Sequence, residues 1–201
     1  MNSIVKLCGF KKQEDVEFAS NLGANFLGFV FAKHSKRYIN LQEFASLNLN
    51  GVSSSVVAVF QEPMLDDVTE VLNENRVDFV QIHGTNKNLA LEISKIKPVI
   101  MAFSGENFTK EQFLEYDFAK YFLFDNANAG SGQGRDFSFA KSIKNLTQKE
   151  FFLAGGINIE NYKNALQYSN MIDISSGIET ISGVKNQEKI KELLQELKNG
   201  N

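Results

Sequence analysis

Two reactive side chains stand at the ends of short apolar runs: Cys8 after Ile4-Val5-Lys6-Leu7, and Asp125 after Tyr121-Phe122-Leu123-Phe124. A thiol and a carboxyl so placed are the materials of general acid–base chemistry, in which one group takes a proton and the other gives one. A carboxyl at the mouth of a dry interior has its pKa raised and can donate near neutral pH. Arg37, inside the basic stretch Lys33-His34-Ser35-Lys36-Arg37-Tyr38, offers a planar fork that can hold a carboxylate with two parallel hydrogen bonds. Gln81 and His83 end a further apolar run. A different chemistry is suggested by Gly155-Gly156 after Leu153-Ala154, and by Ser175-Ser176-Gly177 after Asp173-Ile174. Glycine lets backbone N–H groups approach an anion closely, and serine adds hydroxyl donors.

Each candidate also has a plainer reading. A lone cysteine serves as a small buried hydrophobe. Asp125 could cap a helix, Arg37 could belong to a solvated basic loop, and His83 could be a satisfied residue at the core's edge. A Gly-Gly pair by itself marks a turn. Position along the chain has to decide between these readings.

Eight apolar runs rich in Val, Ile and Phe recur at 4–8, 26–31, 56–60, 79–83, 99–103, 121–125, 151–154 and 171–175. Near-continuous runs of this length, each followed by a Gly or polar cluster, are how strands buried on both faces of a parallel sheet read. Between them lie amphipathic stretches. Val16, Phe18, Ala19 and Leu22 form one stripe that Gly23 stops, Asp66-Asp67 opens another, and Ile190, Leu193, Leu194 and Leu197 mark a closing helix. Eight strand–helix units in 201 residues predict a (β/α)8 TIM barrel forming one domain over 1–201. A doubly wound sheet would often carry a Gly-rich fingerprint after its first strand, where Cys8-Gly9-Phe10-Lys11-Lys12 stands instead. In a TIM barrel the C-terminal strand ends build the active site, and the loops after strands seven and eight commonly bind phosphate. Cys8, Asp125, Gln81, His83 and both Gly/Ser loops all fall there.

Composition sets the remaining bounds. A net charge of −3 with interspersed signs predicts neither a nucleic-acid footprint nor a polybasic membrane patch. No run reaches the roughly 18 apolar residues of a membrane span. The start Met1-Asn2-Ser3-Ile4-Val5-Lys6 does not read as a signal peptide, so a cytoplasmic location is expected. One cysteine cannot form an internal disulfide, and with two histidines it makes a structural zinc site improbable.

Taken in order, these landmarks resemble the phosphoribosylanthranilate isomerase family of the tryptophan pathway. The matching stretches include Lys6-Leu7-Cys8-Gly9, Leu27-Gly28-Phe29-Val30-Phe31, Ser35-Lys36-Arg37-Tyr38, Val57-Ala58-Val59-Phe60 and Val80-Gln81-Ile82-His83-Gly84. They continue through Leu123-Phe124-Asp125, Gly130-Ser131-Gly132 before Asp136-Phe137, Leu153-Ala154-Gly155-Gly156-Ile157-Asn158, Asp173-Ile174-Ser175-Ser176-Gly177-Ile178-Glu179 and Gly183-Val184-Lys185-Asn186. The resemblance implies an Amadori rearrangement of N-(5'-phosphoribosyl)anthranilate to 1-(2-carboxyphenylamino)-1-deoxyribulose 5-phosphate, without metal or cofactor, by a monomer or homodimer. It implies Asp125 as the acid that opens the furanose ring and Cys8, as thiolate, as the base that takes the C2' proton. Arg37 would hold the anthranilate carboxylate, and Gly155, Gly156, Ser175 and Ser176 the phosphate, with Gln81 and His83 as further substrate contacts. The chain departs from the family in having Lys36 where Pro is usual, which would loosen the loop presenting Arg37. It also has Arg135-Asp136-Phe137 where Phe-Asp-Trp is usual.

Rival phosphosugar barrels match less well. The histidine-pathway isomerase would need a carboxylate in place of Cys8 and a phosphate loop where Phe60-Gln61-Glu62-Pro63 stands, and indole-glycerol-phosphate synthase would need more strand-end lysines than Lys6. A non-catalytic barrel would not need to keep Cys8 and Asp125 together.

Overall fold

Each apolar run forms a strand, because a run without polar alternation is stable only where both sheet faces are covered. The computed structural model describes residues 3–105, 108–125 and 137–199. The barrel strands are β1 (Ile4–Cys8), β2 (Phe26–Val30), β3 (Ser55–Gln61), β4 (Phe79–His83), β5 (Val99–Ser104), β6 (Tyr121–Asp125), β7 (Phe151–Ala154) and β8 (Met171–Ile174). The connecting helices are α1 (Gln13–Asn21), α2 (Leu41–Ala45), α3 (Leu65–Glu74), α4 (Lys87–Ser94), α5 (Lys110–Glu115), α6 (Phe139–Leu146) and α7 (Tyr162–Leu166). The strands pair in parallel in chain order, and β1 meets β8 through Ile4↔Met171 and Leu7↔Ile174 to close the barrel.

Side-chain alternation divides the core in two. Val57, Ile100, Leu123, Phe152 and Met171 fill the inside of the barrel with Cys8. Leu7, Leu27, Val56, Ala58 and Val80 point outward against the helices. The chain's many phenylalanines form several clusters, two of which bear on the barrel's shape. Phe26, Phe79, Tyr121 and Phe152 pack mostly edge to face, with centroids 5.3 to 6.1 Å apart, and plug the N-terminal end of the barrel. Phe103, Phe113, Phe122 and Phe124 pack α5 onto β5 and β6 from outside. These rings close the lower end and leave the C-terminal mouth as the side for a ligand to approach.

Helix ends follow local chemistry. Gly23, at φ 90°, ends α1, with its N–H bonded to Ser20 O and that of Ala24 to Ala19 O, the two bonds of a Schellman cap. Asn40 and Glu43 form a reciprocal capping box on α2. β2 stops one residue short of Phe31, and β8 stops at Ile174, before Ser175. One element has no counterpart in the sequence reading. After a 3-10 turn at Ser176–Ile178, β9 (Glu179–Ile181) and β10 (Val184–Lys185) form an antiparallel hairpin before α8 (Gln187–Asn199). Its strands are too short to show a period, and Ile181 and Val184 face solvent rather than a core.

Candidate active site

Cys8, His83 and Asp125 are the last residues of β1, β4 and β6, so all three stand at the open mouth. Cys8 lies in the interior cluster, and Leu123, two residues before Asp125, does too, which turns Cys8 and Asp125 inward. Gly28 on β2 makes room for the thiol: a Cβ there would stand 2.7 Å from Cys8 Sγ. Glycine inside a strand marks a close approach, and here the approaching group is the candidate base.

Below the mouth lies a buried ion pair. Lys6, fully buried on β1, donates to Asp173 Oδ1 on β8 at 3.0 Å. Burial opposes the charge on Lys6, but attraction to Asp173 outweighs it and raises the ammonium's pKa. At Cys8 burial dominates and pushes the thiol up, against the attraction of Lys6 and Lys185. Cys8 is therefore a thiol at rest, with two ammonium groups close enough to favour its ionised form. Gln81 Nε2 and His83 Nε2 are 2.7 Å apart on β4. Burial, aided by the positive charge of Lys6, lowers the His83 pKa to about 4, so its imidazole is neutral at pH 7. Gln81 Oε1 is buried and has no hydrogen-bond partner among the described residues.

Arg37 is neither free nor merely solvated. Its Nε and Nη2 donate to Glu179 Oε1 and Oε2 at 2.8 and 2.7 Å. Glu179, nearly fully buried at the start of β9, also accepts from Lys185 Nζ on β10 at 2.9 Å. Lys185 Nζ in turn donates to the Cys8 carbonyl at 2.5 Å. The loosening expected from Lys36 is opposed on two sides. Gly183, at φ 89°, lets the hairpin turn press on the Lys36 carbonyl, where a Cβ would stand 2.6 Å away, and Glu179 fixes Arg37 itself.

The loops after β7 and β8 meet directly. A Cβ on Gly177 would stand 2.1 Å from the Ile157 carbonyl, so only glycine lets the two loops touch. Gly155 and Gly156 take φ 93° and 59°, and Asn161 Nδ2 braces the Gly156 carbonyl at 3.1 Å. Successive residues of this kind form concave backbone sites for anions. One detail differs from the sequence reading: the Ser175 hydroxyl donates to the Cys8 carbonyl at 3.1 Å, so its proton is already committed. The backbone N–H groups and Ser176 remain as candidate donors to an anion.

Known proteins share this architecture over nearly their whole length. The family described as PRAI, N-(5'phosphoribosyl)anthranilate (PRA) isomerase, matches residues 5–196. The chain belongs to this family. An N-(5'-phosphoribosyl)anthranilate isomerase of Streptococcus gordonii is 37% identical over 200 residues, covering 98% of each chain. The phosphoribosyl anthranilate isomerase crystal structure from Thermus thermophilus superposes with a TM-score of 0.88 at 31% identity, covering 98% of this chain and 100% of that one. Another crystal structure of the family, a complex with reduced 1-(o-carboxyphenylamino)-1-deoxyribulose 5-phosphate, gives a TM-score of 0.84 at 27% identity and covers 98% and 99%.

In this phosphoribosylanthranilate isomerase barrel, all nine sequence candidates fall at or just below the C-terminal mouth. The parts played by Lys6, Asp173, Glu179 and Lys185 were not read from the sequence. For the first two a signal existed: Lys6 and Asp173 are opposite charges inside apolar strands that become neighbours once the barrel closes. Glu179 and Lys185 lie in stretches that match the family, but the hairpin carrying them is too short to show a period, so nothing pointed to their partners. Gly130-Ser131-Gly132, Arg135 and Asp136 lie outside the described residues, while Phe137 is fully buried and keeps an aromatic anchor at that place.

Proposed function

We propose that the chain, as one catalytic domain over 1–201, isomerises N-(5'-phosphoribosyl)anthranilate to 1-(2-carboxyphenylamino)-1-deoxyribulose 5-phosphate, with Asp125 as acid and Cys8 as base. The observation that carries this reading is the inward placement of both groups at the C-terminal ends of β6 and β1, in a barrel of this family. Asp125 protonates the ring oxygen as the bond from C1' to that oxygen breaks. The sugar opens to a hydroxyl and a protonated Schiff base on the anthranilate nitrogen. Cys8, as thiolate, takes the C2' proton, and the C–H electrons move through C1' to neutralise the iminium. The resulting enolamine tautomerises to the 2-ketone. A positioned acid or base of this kind contributes roughly 10²–10⁴-fold each.

Cys8 reaches its thiolate form at a cost set by burial, and Lys6 and Lys185 offset part of it. Substrate entry shifts this balance further, because the Schiff base is itself cationic. The Gly155-Gly156 and Ser175-Ser176-Gly177 loops hold the phosphate through backbone N–H groups. Arg37 holds the anthranilate carboxylate. Neutral His83 and Gln81, whose Oε1 is left unpaired, supply hydrogen bonds to the ribose without adding charge. All these residues come from one chain, so monomer and homodimer serve the chemistry equally. A cytoplasmic location belongs to the same proposal and agrees with the free thiol of Cys8. Among the described residues, no helix is long and apolar enough to cross a membrane.

The test is loss of phosphoribosylanthranilate fluorescence with purified protein. Turnover that falls at least 100-fold in Asp125→Asn and in Cys8→Ser is expected. Absence of turnover by the wild-type protein would overturn the reaction, and full activity in either variant would overturn that residue's role.

A further inference from the structure

The hairpin β9–β10 carries two buried charges, and of these the proposed reaction uses only Lys185, beside Cys8, and leaves Glu179 without a part. Glu179 has both carboxylate oxygens on one edge of the Arg37 guanidinium, and its side chain is 3% exposed against 23% for Arg37. Lys185, also buried, ties the same carboxylate to the Cys8 carbonyl. Lys189 Nζ from α8 donates to the Glu179 carbonyl at 2.9 Å, fixing the backbone beneath it. Gly9 is fitted to this arrangement, since a Cβ there would stand 2.6 Å from Arg37 Cδ. One chain of contacts thus runs from the strand that carries the base to the guanidinium.

A guanidinium has five N–H donors in a fixed fork. Glu179 takes the Nε proton and one Nη2 proton. The other Nη2 proton and the two on Nη1 remain, and they form a second edge with the same bidentate spacing. With Glu179 buried on the inner edge, the exposed part of Arg37 falls on this outer edge, which no group among the described residues occupies.

We infer that Glu179 is a positioning residue for the carboxylate clamp: together with Lys185 it locks Arg37 so that the outer guanidinium edge receives the substrate's aromatic carboxylate in register with Cys8. This rests on the reading of Arg37 as that clamp. Two effects of Glu179 compete. Its negative charge weakens the pull of Arg37 on a second carboxylate, whereas its hydrogen bonds remove the rotamer freedom that binding would otherwise have to remove. Ordering wins, because the outer carboxylate is at the solvent edge, where charges are screened, while the inner pair is buried. The ordering of one arginine corresponds to about tenfold in affinity.

The experiment compares two substrates, N-(5'-phosphoribosyl)anthranilate and N-(5'-phosphoribosyl)aniline, which lacks the carboxylate. Two variants are used: Glu179→Gln removes the charge, and Glu179→Asp keeps the charge but withdraws its reach. Expected in both is a KM raised about tenfold for the anthranilate substrate with kcat within about twofold, and no change in KM for the aniline. Arg37→Met raises only the anthranilate KM, and adding Glu179→Gln to it raises KM no further. A purely structural role would raise both KM values together or lower only the melting temperature, and that result overturns the inference, as does an unchanged or lower anthranilate KM. If Arg37→Met raises neither KM, the clamp reading itself falls and this inference with it. If Glu179→Gln does not fold, Glu179→Asp carries the comparison alone.

Discussion

Gly28 and Cys8 face each other across β1 and β2, and the space where a Gly28 Cβ would sit is the space the Cys8 sulfur fills. A methyl at that point must push the thiol aside. Gly28→Ala is therefore expected to lower kcat about 100-fold, since displacing a reacting group by roughly 1 Å costs that much. Overpacking adds a stability loss of about 1–3 kcal/mol. Steady-state kinetics with a urea titration checks both, and a kcat within twofold of wild type would remove Gly28 from the site.

The Lys6–Asp173 pair sets the charge beneath Cys8, the proposed base. Lys6→Met leaves Asp173 buried without its cation, a loss of about 3–5 kcal/mol, and takes away the attraction that lowers the thiol's pKa. The pH midpoint for alkylation of Cys8 is expected to rise in this variant. Lys6→Met with Asp173→Leu restores most of the stability, because a whole buried pair is exchanged for apolar bulk. Its midpoint rises less, since Asp173 itself pushed the thiol up. Equal midpoints in wild type and Lys6→Met would show that Lys6 does not act on Cys8.

His83 gives a pH signature of folding. Its folded-state pKa of about 4 lies below the 6.5 of an unfolded histidine, so the unfolded chain takes up the proton first. Stability contributed by neutral His83 is fully present above pH 6.5, falls as pH drops toward 4, and is level below that. The slope in that window approaches 1.4 kcal/mol per pH unit. Urea unfolding at pH 7 and pH 5 should show a larger drop for wild type than for His83→Asn, which cannot titrate. Parallel curves would contradict the burial of this imidazole.

If the touching loops after β7 and β8 hold the phosphate as proposed, their contact predicts a defect confined to phosphate. In Gly177→Ala the new Cβ meets the Ile157 carbonyl, so the loops must separate. The inhibition constant of inorganic phosphate and the KM are expected to rise together, by roughly tenfold, the equivalent of about 1.4 kcal/mol. A rise in KM alone would move the phosphate elsewhere on the mouth.

The barrel was legible in the sequence because fully buried parallel strands leave near-continuous apolar runs, and four of the eight runs (4–8, 79–83, 121–125 and 151–154) match β1, β4, β6 and β7 residue for residue. The candidate site was legible for the same reason: strand ends name the mouth, so Cys8, His83 and Asp125 could be placed before any contact was known. What stayed hidden depended on closure and on short elements. Lys6 and Asp173 become partners only when β1 meets β8, 167 residues apart in the chain. Glu179 and Lys185 sit on strands of three and two residues, below the length at which alternation can be seen. The committed hydroxyl of Ser175 was equally invisible, since a serine's partner cannot be read from its type.

The division of labour between Asp125 and Cys8 is tested most directly by substrate carrying deuterium at C2', followed in single turnovers by fluorescence. Cys8→Ser slows the step that breaks the C2' bond, so its isotope effect is expected to exceed that of the wild-type protein. Asp125→Asn slows ring opening, which precedes that step, so its isotope effect is expected to shrink toward unity. The opposite pattern would exchange the two roles, and an unchanged isotope effect in both variants would contradict the assignment of proton transfer to this pair.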